Sequence, residues 1–131
     1  MAIQGMNHFT VLAADLEKTL AFYCGLLGFR QGPRPSFDFP GAWLYCGDSA
    51  ILHIVTGRAM PANPSGVLDH MAFSADDLQG TITRLKAADV EYDLRRLVGP
   101  GAQIWQMFFR DPNGARVELD FAAAEPGPIA Y

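Results

Sequence analysis

The chain is written twice. Met6-Asn7-His8-Phe9-Thr10-Val11, followed by Ala14-Asp15-Leu16, returns as Leu68-Asp69-His70-Met71-Ala72-Phe73, followed by Asp76-Asp77-Leu78. The register is constant: His8 finds His70, Asp15 finds Asp77, Leu16 finds Leu78 and Thr19 finds Thr81, each 62 residues on. Self-similarity at such a period marks two copies of one supersecondary unit, so both halves must solve the same folding problem in the same way.

Each copy opens with an apolar, β-branched strand that ends at an aspartate, Asp15 or Asp76-Asp77, suited to cap an amphipathic helix. The first helix reads Leu16, Leu20, Phe22-Tyr23 and Leu26-Leu27 and stops at Gly28; the second reads Leu78, Ile82 and Leu85 and runs down at Ala87-Ala88-Asp89. Three strands are expected after each helix. In the first copy they are Phe29 to Arg34, Ala42 to Cys46 and Ala50 to Thr56; in the second, Val90 to Val98, Gln103 to Phe109 and Ala115 to Phe121. Asp111-Pro112-Asn113-Gly114 is a strong turn between the last two. The expected organisation is one α+β domain over residues 1–131, with a βαβββ module at about 3–56, a Pro- and Gly-bearing linker at 57–66, a second module at about 67–121, and an extended tail over 122–131.

Composition narrows the function. Ten Lys+Arg against fourteen Asp+Glu give a net charge of −4, and the basic residues are scattered, which argues against nucleic acid. Apolar runs are broken every few residues, so no membrane span is expected, and the first residues carry neither a basic nor an apolar leader segment. The expected compartment is the cytoplasm. Cys24 and Cys46 are then expected to be reduced, buried thiols. A chain of this length folds without a structural metal, so a metal bound here would serve function.

The three histidines all fall in expected strands, and the repeat organises them. His8 and His70 are equivalent. His53, in Ile51-Leu52-His53-Ile54-Val55, corresponds to Glu118 in Val117-Glu118-Leu119, 65 residues on, which implies a net three-residue insertion in the second copy. A single histidine in an apolar strand is ordinarily a hydrogen-bonded core residue. A glutamate between two apolar residues is more telling, because buried carboxylates need a partner. Three imidazoles and one carboxylate at two symmetry-related positions form an N/O donor set suited to one divalent metal: zinc, nickel, iron(II) or manganese.

These residues carry a resemblance. Asn7-His8-Phe9-Thr10-Val11 leading into Asp15-Leu16, the helix end Phe22 to Phe29, Asp69-His70-Met71-Ala72-Phe73, and above all the closing Phe108 to Leu119 resemble, in this order, the vicinal oxygen chelate superfamily. That superfamily groups glyoxalase I, extradiol dioxygenases, fosfomycin-resistance enzymes, methylmalonyl-CoA epimerase and bleomycin-binding proteins. Arg34 to Leu44, followed by Leu52-His53-Ile54, is most similar to a glyoxalase-I-like subgroup. The resemblance implies paired βαβββ modules forming a cupped, half-open β-barrel around one divalent metal, with His8, His70 and Glu118 as ligands and position 53 as a possible fourth. In glyoxalase I that fourth position resembles a glutamate, so His53 is a departure that leaves Glu118 as the carboxylate base.

The chemistry implied is chelation of two neighbouring oxygens of a small substrate and stabilisation of an enolate or oxyanion, as in a lyase or isomerase. Glu118, or His53 if it stands outside the ligand set, would move the proton. A second reading takes His8, His70 and Glu118 as an iron(II) triad for extradiol ring cleavage, with His53 as acid/base. A third is a non-catalytic, drug-sequestering protein of the bleomycin-resistance type. Phe37 and Trp43 are expected to line a substrate wall, Arg34 to meet a substrate carboxylate, and Gln106 to hydrogen-bond substrate or a neighbour. Short two-module members resemble homodimers, which would draw His8 and His53 from one subunit and His70 and Glu118 from the other.

Overall fold

The computed structural model describes residues 2–101 and 104–128. It contains two compact units, Met1–Ala62 and Asn63–Tyr131, each a four-stranded mixed sheet with one helical segment. Unit one runs β1 (Phe9–Ala13), α1 (Leu16–Leu20), β2 (Arg30–Gly32), β3 (Gly41–Cys46) and β4 (Ser49–Thr56). Unit two runs β5 (Met71–Ser74), α2 (Leu78–Ala87), β6 (Tyr92–Leu97), β7 (Ile104–Arg110) and β8 (Arg116–Ala122). The sheet orders are β1-β4-β3-β2 and β5-β8-β7-β6, so each module's first strand lies parallel beside its last while the other pairs are antiparallel. The class is α+β, and each unit is βαβββ.

The repeat extends to the caps. Asp15 accepts from Lys18 N–H and Asp77 from Gly80 N–H, both at 3.1 Å. Thr19 and Thr81, both buried, each donate a hydroxyl to the backbone of their capping aspartate. The three-residue insertion is visible in the ladders: His53 stands opposite Thr10 and Trp43, and Glu118 stands opposite the equivalent Ala72 and Phe108.

Alternation gives each sheet two unlike faces. In unit one, Ala13, Ala42, Leu44, Leu52 and Ile54 share a sealed face and form the core with Thr19, Phe22 and Tyr23. In unit two, Met107, Val117, Leu119 and Phe121 do so with Leu78, Thr81 and Leu85. Each large side chain buried there contributes about 1.5–3 kcal/mol. His53 and Glu118 point to the opposite faces.

Several expectations are corrected. His8 and His70 are not inside strands: each is the residue immediately before the first ladder pair, of β1 and β5 respectively. The first helix is not uniformly α; from Ala21 to Leu26 it widens to a π-helix, a turn that brings the neighbouring Phe22 and Tyr23 both into the core. It ends as expected at Gly28, whose φ of +83° a side chain would strain. β2 is shorter than expected because Pro33, lacking an N–H, cannot extend the ladder. Cys46 is exposed rather than buried, since it closes β3 where pairing with β4 shifts register, and Cys24 is half-buried; both are free thiols. The expected strand start at Gln103 lies outside the described residues.

The tail as far as it is described, to residue 128, is docked on its own unit through Glu125. Glu125 Oε1 accepts from Leu78 N–H at 2.7 Å, at the first turn of α2, and Trp105 Nε1–H donates to Glu125 O at 3.1 Å. The Asp111–Gly114 turn is built as its sequence demands, with Asp111 Oδ1 accepting from Asn113 N–H at 2.8 Å and Ala115 N–H at 2.9 Å. Among the described residues no helix is long and apolar enough to cross a membrane.

Candidate metal centre

In unit one, parallel pairing of β1 with β4 brings His8 beside His53, and antiparallel pairing brings Trp43 to its other side. The three rings stack: His8 on His53 with centroids 3.7 Å apart, and His53 on Trp43 at 4.0 Å. His53 Nε2 lies 3.1 Å from Ala50 O. A carbonyl can only accept, so Nε2 carries the proton and Nδ1 the lone pair. Burial, then the neighbouring His8 and Arg34, pull the His53 pKa down, and the weaker pull of the Ala50 carbonyl in the other direction does not cancel this. The shift favours the neutral form, which a ligand or base requires. His8 Nδ1 lies 2.6 Å from Asn7 Oδ1, which leaves Nε2 as its lone-pair nitrogen.

The expected substrate residues of this unit adjoin the stack. Phe37 stacks on Phe39 at 4.9 Å and approaches Trp43 at 6.3 Å. The Arg34 guanidinium lies over Phe37 and Phe39, at 4.9 and 5.1 Å, and donates to Phe39 O at 2.8 Å. Arg34, Phe37 and Trp43 thus form one half-exposed aromatic wall with a cation laid over it. β3 and β4 come so close here that a Cβ on Gly41 would sit 2.1 Å from Ile54 O.

In unit two, β5 and β8 bring His70 to Glu118, with Nε2 and Oε2 2.7 Å apart. Glu118 is only 5% exposed, and a carboxylate so placed must be compensated. Gln106, on β7, supplies a second partner, its Nε2–H donating to Glu118 Oε1 at 2.7 Å. His70 Nδ1 lies 2.7 Å from Asp69 Oδ2, which also accepts from Arg116 at 2.8 Å. Phe108 meets His70 edge-on at 5.7 Å and carries the Arg116 and Arg95 guanidinium groups at 4.4 and 5.0 Å. Asp120 shares the Glu118 face. Burial and the Glu118 carboxylate beside it push its pKa up to about 6, and its Oδ1 is buried with no hydrogen-bond partner.

The four donors therefore arrive as two pairs, His8 with His53 and His70 with Glu118, one in each unit. Among the described residues no group of three or more His, Cys, Asp or Glu side chains comes together as a metal-holding cluster. The chemistry of each pair nonetheless suits a divalent cation: imidazoles oriented by their hydrogen bonds, a buried carboxylate, and an orphaned carboxylate oxygen in the same face. Sequence reasoning missed Asn7 and Asp69. Their signal was the repeat itself, since the residue before each paired histidine is polar and short in both copies.

The comparisons decide the family. The model of the "Glyoxalase/Bleomycin resistance protein/Dioxygenase superfamily" matches residues 5–119. The chain belongs to this superfamily. Its similarity to glyoxylase I 4 of Arabidopsis thaliana is 29% identity over 126 residues, covering 89% of this chain and 70% of the relative. It is 29% identical to the glutathione transferase FosA of Serratia marcescens, over 89% of this chain and 80% of that one. The solved structure of a glyoxalase family protein from Bacillus anthracis superposes with a TM-score of 0.74 at 25% identity, covering 93% of this chain and 98% of the other. Superfamily members include enzymes that use divalent metals and act on small molecules.

Proposed function

We propose that this member of the superfamily is a divalent-metal-dependent enzyme of the glyoxalase type, a lyase or isomerase that grips a small substrate by two neighbouring oxygens. The observation that carries the reading is Glu118: a buried carboxylate with Oε1 held by Gln106 and Oε2 turned to His70 Nε2. His8, His53, His70 and Glu118 would hold the cation, an N/O set that zinc, nickel, iron(II) or manganese accepts. Two donors do not make such a site, so both pairs are needed. In a homodimer His8 and His53 come from one subunit and His70 and Glu118 from the other, giving two sites. The cation supplies a Lewis acid for charge developing on the substrate oxygens.

The chain's own residues do the remainder. Glu118 takes and returns the substrate proton at Oε2 while Gln106 keeps Oε1 from rotating into its place. Trp43 and Phe37 receive the apolar body of the substrate and Arg34 an anionic group on it. The cytoplasm is the proposed compartment.

One observation favours a second reading. His53 is sandwiched between two rings and its Nε2 is engaged by Ala50 O, which suits an acid/base held outside the ligand set and leaves His8, His70 and Glu118 as a two-histidine, one-carboxylate triad for iron(II) and ring cleavage.

Elemental analysis of protein purified without chelator tests both readings, followed by assays with methylglyoxal plus glutathione and with catechols under air and under nitrogen. Bound metal with oxygen-independent turnover supports the first reading, and iron with oxygen-dependent turnover the second. A metal-free protein that binds a drug tightly and turns over nothing would sink both in favour of sequestration.

A further inference from the structure

Each of the two equivalent histidines is touched by the side chain that precedes it. Asn7 Oδ1 lies 2.6 Å from His8 Nδ1, and Asp69 Oδ2 lies 2.7 Å from His70 Nδ1. These are the same position of the repeat, Asn7 and Asp69 being 62 residues apart. Amide and carboxylate oxygens only accept, so Nδ1 bears a proton in both pairs; this leaves Nε2 of His8 as its lone-pair nitrogen and leaves Nε2 of His70 as the nitrogen turned to Glu118 Oε2, the one a cation between them would take in place of a proton. Only the second copy uses a charged acceptor. Asp69 is in turn held by Arg116 Nη1 at 2.8 Å, from the strand that carries Glu118 two residues later. The contact therefore ties the entry of β5 to the strand presenting the carboxylate.

We propose that Asn7 and Asp69 are positioning residues that fix which ring nitrogen His8 and His70 turn to a divalent cation, and that the charge on Asp69 makes His70 the stronger donor of the two. The proposal rests on the metal-dependent reading above. A carboxylate partner orients an imidazole and raises its basicity more than a neutral amide does. Removing such partners costs a metal site about 10–100-fold in affinity. The Asp69 side chain is 72% exposed, so water competes for it, and the expected loss sits at the lower end, about tenfold.

The test is zinc affinity of the full chain, measured by competition with a chromophoric chelator, in wild type, Asp69→Asn, Asn7→Asp and Asp93→Asn. Asp93 is an exposed acid of the same sheet, paired with Arg95, and controls for a mere change of net charge. Asp69→Asn should weaken zinc about tenfold, Asn7→Asp should tighten it, and Asp93→Asn should leave it within about twofold. The nitrogen-15 spectrum of the zinc-loaded wild type should show His8 and His70 bound through Nε2 with protonated Nδ1. Equal affinities for wild type and Asp69→Asn, an equal loss in Asp93→Asn, or binding through Nδ1 would overturn the positioning role while leaving the metal reading in place. A wild type with no zinc affinity would remove the metal reading, and this proposal with it.

Discussion

Gln106 reaches diagonally to Glu118. The β7–β8 ladder sets Gln106 opposite Asp120 and Glu118 opposite Phe108, yet the Gln106 amide bypasses its direct neighbour and donates to Glu118 Oε1 at 2.7 Å. Gln106→Ala leaves that buried oxygen without its donor, and the expected cost is about 1–3 kcal/mol of stability. Urea unfolding of the metal-free protein measures it; an unchanged midpoint would show that the carboxylate does not depend on this amide.

His8 lies outside the apolar core and precedes β1, so its ring is dispensable for folding. His8→Ala is expected to lose bound metal while keeping the wild-type circular dichroism and melting profile of the metal-free protein. Unchanged metal content would mean that His8 is not a ligand.

Gly41 is where two backbones meet. Gly41→Ala would drive a Cβ to 2.1 Å from Ile54 O, a rigid atom that cannot turn aside, so β3 and β4 must part. Overpacking of this kind costs about 3 kcal/mol. Thermal melting should report it, together with loss of the His53–Trp43 stack in near-ultraviolet dichroism.

Glu125 acts as a remote cap on α2 through Leu78 N–H. Glu125→Ala is expected to cost about 1 kcal/mol, the ordinary worth of an N-terminal cap. Hydrogen exchange at the first turn of α2 should rise by more than at β7; a uniform rise would argue for a global effect instead.

The two thiols should separate by reactivity. Cys46 is exposed and should be labelled first by a water-soluble thiol reagent. Burial pushes the Cys24 thiol up, with a smaller opposing pull from the Gln31 backbone, so at neutral pH little of it is thiolate. Because the thiolate reacts, labelling of Cys24 should keep accelerating as pH rises beyond the ordinary thiol range. Peptide mass mapping after timed alkylation distinguishes the two sites.

What was legible in the sequence was whatever the repeat wrote twice. The equivalence of His53 with Glu118 follows from their places in matching apolar strands, and the ladders put them opposite the equivalent Thr10 and Ala72. The helix caps at Asp15 and Asp77 were legible for the same reason. The ring stack of His8, His53 and Trp43 was not, because it depends on a parallel pairing between distant strands that no local pattern announces. Nor was the widening of the first helix after Leu20, since a change from α to π winding hardly alters the spacing of apolar residues. The contacts of Asn7 and Asp69 with the imidazoles were not legible either, because a polar residue before a histidine does not announce which way its side chain turns.

The parallel adjacency of β1 with β4 and of β5 with β8 has a consequence for synthesis. The side chains that face each other come from the earliest and latest stretches of a module, so a nascent chain halted anywhere within it has only one of the two. Loop closure across most of a module must precede that meeting, which makes it a late event in folding. A half-made module thus holds only one member of its facing pair, His8 without His53 or His70 without Glu118.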